Sequence, residues 1–322
     1  MDYRMWTVNL RLTSPGPLLP WLGPAVRGML AKRLKHRVCR LTMAERERQG
    51  AYCDGCSRRK GCPYGETFEP ELPAGWEPFC GQQDVPPAVI LAPYYPVPTE
   101  ALEGLEIPLR LTLVGRRAVG HLGAIQDALF ECGRADGLGR GRVQFTLGSG
   151  ADGAISDPRK IPVLPSEPDA AAGCIPRLGV GLVAPLFLRR ELNGGPPDQR
   201  PKDKPRPRHV PIRQPEFSDL FGAVLRTLGQ LFRIDGAPLP ADFGALKAAA
   251  RRVRLVEQCY QPFQQGKWTS RGEQRYMLRG CDGGGVYADV PLALLPWMLW
   301  GGRLHVGGHR GSGAGGWRLV LD

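Results

Sequence analysis

Leu22, Val26, Leu30 and Leu34 recur four residues apart in a stretch otherwise crowded with lysine and arginine. That spacing gathers apolar side chains on one face of a helix. Pro24 fits the first turn of such a helix. Before it, residues 3–12 (YRMWTVNLRL) have the aromatic and β-branched content of a strand. After it, AVILAPYY (88–95) and IPLRLTLVG (107–115) are strand-like, and LGAIQDALFECG (122–133) predicts a helix closed by Gly133. GLGRGRVQFTL (137–147) is a glycine-rich turn that runs into a strand.

The second half repeats this order. RLGVGLVAPLFLRR (177–190) predicts a strand, and FSDLFGAVLRTLGQLFRI (217–234) an amphipathic helix with Asp219 in its first turn. RRVRLVEQCYQPF (251–263) and the stretch from QRYMLRG to GGVYADV (274–290) predict two more strands. PLALLPWMLW (291–300) predicts an apolar helix stopped by Gly301 and Gly302, followed by a glycine-rich loop and a last strand, WRLVLD. Each half therefore reads β-α-β-β-α-β. The class is α+β, with two tandem ferredoxin-like (RRM-like) domains at residues 1–149 and 177–322. A Pro-, Gly- and Ala-rich linker at 150–176 joins them. The proline-rich basic segment NGGPPDQRPKDKPRPRHVPIRQPE (193–216) interrupts the second half as a surface loop, the alternative being a contact arm for an anionic ligand.

Composition narrows the function. The 322 residues are 42% hydrophobic and carry a formal net charge of +12. A chain of this size buries a substantial core, and its basic balance favours nucleic acid or another polyanion. The longest apolar run, VPLALLPWMLW, is too short to span a bilayer, and the N-terminal residues have no signal core. No membrane and a cytoplasmic location are expected. Nine cysteines without a secretion signal argue against a disulfide framework.

Eight of residues 301–316 are glycine, with Arg303, His305, His309 and Arg310 among them. Gly308 and Gly313 have the spacing of a phosphate-binding P-loop, but Ala314 and Gly315 occupy its lysine and hydroxyl positions. The loop also follows a helix rather than a strand. Repeated glycines beside basic side chains fit instead a backbone pressed against an extended polyanion.

At this point the sequence resembles a family. LLPWMLWGGRLHVGGHRGSGAGGWRL is similar to the glycine-rich signature of the CRISPR precursor-RNA processing endoribonucleases of the RAMP superfamily (the Cas-six type), matching at Leu304, His305, Val306, Gly307, Gly313, Gly315 and Trp317. EFSDLFGAVLRTLGQLFRI and WTSRGEQRYMLRG resemble further segments of that family. VRGMLAKRLKHRVC followed by CDGCSRRKGCPYGETFEP resembles a subgroup with a cysteine cluster. The resemblance implies tandem ferredoxin-like domains that bind CRISPR repeat RNA and cut precursor crRNA once. It implies a metal-independent cut that leaves a 2′,3′-cyclic phosphate and a 5′ hydroxyl.

Such a cut needs a base for the 2′-OH, an acid for the leaving oxygen and cations at the phosphorane. Histidine can supply either proton function near neutral pH. His36 is the first candidate, because the family often places its histidine near the end of the first helix; Lys32 and Arg33 can share its side of the helix. His121 is the reserve. Arg140, Arg142, Arg271, Arg275, Arg303, His305, His309, Arg310 and Ser312 are the expected RNA contacts.

Cys39, Cys53, Cys56 and Cys62 read C-x13-C-x2-C-x5-C, with Cys80 as a substitute, a spacing that suits a closed structural zinc site. Reduced thiols or an iron–sulfur cluster are the alternatives. The expected zinc is a staple for an insertion at about 39–80; no cofactor is expected in catalysis. The alternative function is a non-catalytic crRNA-binding RAMP subunit of an effector complex. Partners are then CRISPR repeat RNA and other effector subunits. A DNA-binding module has no helix-turn-helix or tandem-finger spacing to support it.

Overall fold

Trp6, Val8, Leu10 and Leu12 alternate along the first strand and enter one core, while Tyr3 from the same strand enters another. A computed structural model of the protein describes residues 1–49, 53, 55–72, 85–148, 156–157, 159–168, 173–192, 208–268 and 275–321. β1 (Asp2–Leu12) is followed by α1 (Gly23–Val38), β2 (Val89–Pro93), β3 (Glu106–Val114), α2 (Leu122–Ala135) and β4 (Phe145–Gly148). Val26, Leu30 and Leu34 of α1 are fully buried in the first core, where α1 meets β2 and α2, as their four-residue spacing requires. The strands lie in the order β2-β3-β1-β4, each pair antiparallel. This is the ferredoxin-like arrangement, in which β3 is inserted between the two strands that α1 connects.

The second half is built the same way. β5 (Cys174–Leu182), α3 (Phe217–Ile234), β6 (Arg254–Gln258), the hairpin β7 (Gln261–Trp268) and β8 (Arg275–Asp282), β9 (Gly284–Pro291), α4 (Leu295–Leu304) and β10 (Trp317–Leu321) follow in turn. The sheet order is β6-β9-β5-β10, again antiparallel throughout. α3 opens with a reciprocal capping box between Glu216 and Asp219.

Several expected boundaries move. The stretch 274–290 holds two strands, because Gly283 (φ +95°) turns the chain between β8 and β9. β8 then pairs with β7 as a separate ribbon instead of joining the sheet. The stretch 177–190 also divides: β5 ends at Leu182, and Arg189–Leu192 pairs with Arg208–Pro211. The residues 193–207 of the basic segment lie outside those described. α2 continues past Gly133, which is glycine because the Phe145 carbonyl packs on it. Gly301 and Gly302 do not stop α4 either; Val224 and Trp317 leave no room for a side chain there.

The two sheets are not held by a linker alone. Arg159–Lys160 pairs with the start of β1, and the Ser156 hydroxyl accepts from Met5 N at 2.9 Å. Ile161 and Leu164 enter the second core. Tyr3, Ile90 and Val114, from the face of the first sheet opposite its helices, enter that core too. The Tyr3 and Trp300 rings meet edge to face at 5.1 Å. Among the described residues, no helix is long and apolar enough to cross a membrane.

Candidate nucleic-acid interface

The glycine-rich segment after α4 is pressed against protein. Residues 310–317 are all buried, including Ser312 at 1% and Arg310 at 3% exposure. Gly313 takes a left-handed conformation (φ +77°) with the backbone of Leu91 and Ala92 against it. Gly311 packs on Pro87, and the Ser312 carbonyl lies over Gly23. What approaches these glycines so closely is the first half of the chain. Arg310 and Ser312 are therefore not surface contacts for RNA in this conformation. Arg310 Nε donates to Leu304 O at 2.8 Å, and Nη1 donates to Pro87 O across the junction. Burial lowers its pKa to about 9, which still leaves it a cation at neutral pH. Among the described residues its Nη2 is buried without a hydrogen-bond partner.

His305 is locked beside it. Its ring is 1% exposed, with Nδ1 3.1 Å from Ala314 O and Nε2 3.1 Å from Arg110 Nη2. Those partners fix one neutral tautomer, because Nδ1 must donate to the carbonyl while Nε2 accepts from the guanidinium. Burial, then the Arg110 charge, pushes its pKa down to about 3.

His309 is only half-buried and lies at the meeting of both halves. Its ring stands edge-on to Phe187 at 5.2 Å. Phe187, Trp21, Phe263 and Tyr95 form the aromatic floor beneath it. Gln265 ties this floor together across the junction, donating from Nε2 to Trp21 O at 2.9 Å. Burial, then the charges of Lys267, Arg189 and Arg27, lower the His309 pKa to about 4. Arg27 comes from α1, Arg189 from the strand Arg189–Leu192, and Lys267 from β7. Arg27 lies over the Phe68 ring at 5.6 Å and Lys267 Nζ over the Tyr276 ring at 5.7 Å; cations from three elements thus set the field at one neutral imidazole, which suits an anion.

His36 and Lys32 lie exposed on α1, one turn apart. Arg33 does not join them: it donates twice to Asp136, at 2.9 and 2.7 Å, and is committed to α2. Arg37 is likewise paired with Asp127 and Glu131. His121 stands at the N-cap position of α2, its Nε2 2.7 Å from Glu66 Oε2. Arg140 and Arg142 are exposed on the turn between Leu138 and Val143, and Arg303 is exposed over the Trp300 ring at 5.2 Å. Arg271 and the Arg275 side chain lie outside the described residues.

Among the described residues, no group of three or more His, Cys, Asp or Glu is arranged to hold a metal; Cys80 lies outside them. Cys53 is buried in the first core, which pushes its thiol up to about 11. Arg59 ties the insertion together, 8% exposed and donating to Glu69 O at 2.7 Å and to Glu71 Oε1 at 2.8 Å. Glu69 accepts in turn from Cys53 N and from the Tyr64 hydroxyl, each at 2.8 Å.

Arg27, Arg110, Arg189, Lys267 and Arg318 were not singled out by sequence reasoning. Only Arg110 carries a legible signal, as a lone charge inside the apolar strand IPLRLTLVG. The others look like ordinary surface cations until the fold gathers them.

Residues 1–160 match the family model described as AF_1859_N, N-terminal domain. No curated protein matches the sequence. Among solved structures, a Cas6 product complex aligns over 99% of both chains, with a TM-score of 0.56 and 15% identity. An RAMP protein binding different RNA substrates aligns over 99% of both chains, with a TM-score of 0.50 and 13% identity. A Cas6-RT-Cas1–Cas2 complex covers the whole chain with 29% of its own length, at a TM-score of 0.54 and 13% identity. With both sheets in the same strand order and full-length alignment to these structures, the chain has the double ferredoxin-like fold of the Cas6-type RAMP proteins.

Proposed function

We propose that this protein binds CRISPR repeat RNA and cleaves it as a metal-independent endoribonuclease. The observation that carries the reading is His309 over an aromatic floor at the junction, in the field of Arg27, Arg189 and Lys267, within a fold shared with a Cas6 product complex. In this reading the aromatic floor and the cations of Arg27, Arg189 and Lys267 grip one phosphate of the strand. Association with other CRISPR subunits, as in the Cas6-RT-Cas1–Cas2 complex, belongs to the same proposal.

Helix geometry separates the grip from the cut. Arg27 and His36 are nine residues apart, about 13 Å along the axis and on opposite flanks of α1. One phosphate cannot touch both. The strand therefore leaves His309, crosses α1 at the exposed Gly28 and Lys32, and presents its 2′-OH to His36. His36 transfers the proton and Lys32 stabilises the phosphorane; Arg33, held by Asp136, serves only to position α1 against α2.

Single-turnover cleavage of a repeat RNA from the adjacent CRISPR array tests these roles. His36→Ala should slow cleavage by about 10²- to 10⁴-fold with affinity nearly unchanged. His309→Ala should weaken affinity instead. A second reading makes His309 the proton-transfer group, favoured by its neutral imidazole among cations. It would be upheld by a silent His36→Ala together with a His309→Ala that binds normally and does not cut.

A further inference from the structure

The glycine-rich segment has two sides, and only one faces His309. On the other, Arg110 projects from the face of β3 opposite the first core, beside Thr7 of β1 and Ala92 of β2. Its Nη2 is held at 3.1 Å from the neutral His305, a partner that orients the guanidinium and leaves its charge intact. Two further arginines border the same imidazole through the backbone. Arg303 lies two residues before His305, at the end of α4, and stacks over Trp300. Arg318 lies two residues after Gly316, where any Cβ would come within 2.6 Å of the His305 ring.

Arg303 and Arg318 are exposed, and Arg110 is partly so. Among the described residues, none of the three has an acidic partner. The contrast with the rest of the second sheet is direct: Arg177 pairs with Glu257 and Arg254 with Asp289. Burial, and then the charges of Arg318 and Arg303, lower the Arg110 pKa, so the three share one field. Two uncompensated guanidiniums beside a third, oriented one suit phosphate oxygens.

We propose that Arg110, Arg303 and Arg318 form a second phosphate site, on the His305 side of the glycine-rich segment, for a phosphodiester of the RNA outside the part gripped at His309. The assignment rests on the RNA-binding reading above, but the site can be probed without RNA. The exposed pair is the place to test it, since substituting Arg110 would disturb the junction. Arg303→Ala/Arg318→Ala should make the slope of log K against log salt for repeat RNA less negative by about 1.4, two single-strand contacts at about 0.7 each. Arg254→Ala, at the opposite edge of the same sheet, should leave the slope unchanged.

Sodium sulfate supplies the second arm. It should raise the melting temperature of the wild type more than that of the double variant. Sulfate protection lost in the double variant, with no RNA binding even in the wild type, would uphold the anion site and defeat the RNA reading. Repeat RNA bound with the same slope by wild type and double variant would overturn the site and leave the RNA reading standing.

Discussion

His305 and His309 are both neutral in the folded protein because burial outweighs any gain from protonation, and neighbouring cations add to it. In the unfolded chain each would titrate at its ordinary value of about 6.5. As pH falls below that value, the unfolded state binds protons that the folded state refuses, so stability falls. The slope is about 1.4 kcal/mol per pH unit for each histidine. It runs from about 6.5 down to about 4 for His309 and to about 3 for His305. Urea denaturation between pH 7.5 and 4.5 should show this loss, with a shallower slope in His309→Asn, where asparagine tolerates the left-handed backbone. An unchanged slope in that variant would contradict the burial assigned to His309. Arg310 makes a different forecast. Arg310→Met should cost about 1–3 kcal/mol, because charged hydrogen bonds to Leu304 and Pro87 vanish while relief of a buried charge offsets part. Its salt slope for RNA should match the wild type. From sequence, Arg310 was indistinguishable from a phosphate contact, since a guanidinium that caps carbonyls and one that binds RNA have the same neighbours in the chain.

At the scale of elements, periodicity served well where one face is buried. The Leu22-to-Leu34 spacing of α1 and the capped apolar pattern of α3 appear in the structure as read. Glycine was the weaker guide. Gly133, Gly301 and Gly302 look like helix stops, but each makes room for a neighbour that only the tertiary fold supplies. Gly28 is the opposite case: it sits inside α1, exposed, with nothing within 4 Å of where its Cβ would lie. A helix-interior glycine costs roughly 0.5–1 kcal/mol relative to alanine. With no internal neighbour to explain it, the proposed strand crossing gives it a role. Gly28→Ala should raise stability by about that amount, and Gly28→Phe should keep the fold while weakening repeat RNA binding roughly tenfold or more, equivalent to about 1.4 kcal/mol. Normal RNA affinity in a folded Gly28→Phe protein would remove the crossing from α1.

Across the whole molecule, the β-α-β-β-α-β order of each half was readable because short apolar segments and turns mark it locally. How the halves meet was not. Tyr3, Ile90 and Val114 look like ordinary strand residues, yet they complete the second core. The glycine-rich segment carried the family likeness, but Gly311 and Gly313 serve the contact between halves, and its two histidines have different partners, Arg110 for His305 and Phe187 for His309. The cations of both sides come from residues as far apart as Arg27 and Arg318, so no local pattern announces them. Their consequence is a basic, aromatic-floored junction suited to a polyanion, and the proposal that the protein cuts this polyanion with its own side chains follows from it. The most direct measurement is single-turnover cleavage in EDTA of two repeat RNAs, one all-ribose and one with a single 2′-deoxy nucleotide at the scissile position. Cutting of the ribose substrate alone, to a 2′,3′-cyclic phosphate, is the predicted result, because the missing oxygen is the nucleophile. Equal cutting of both substrates, or no cutting of the ribose substrate that the protein binds, would contradict it.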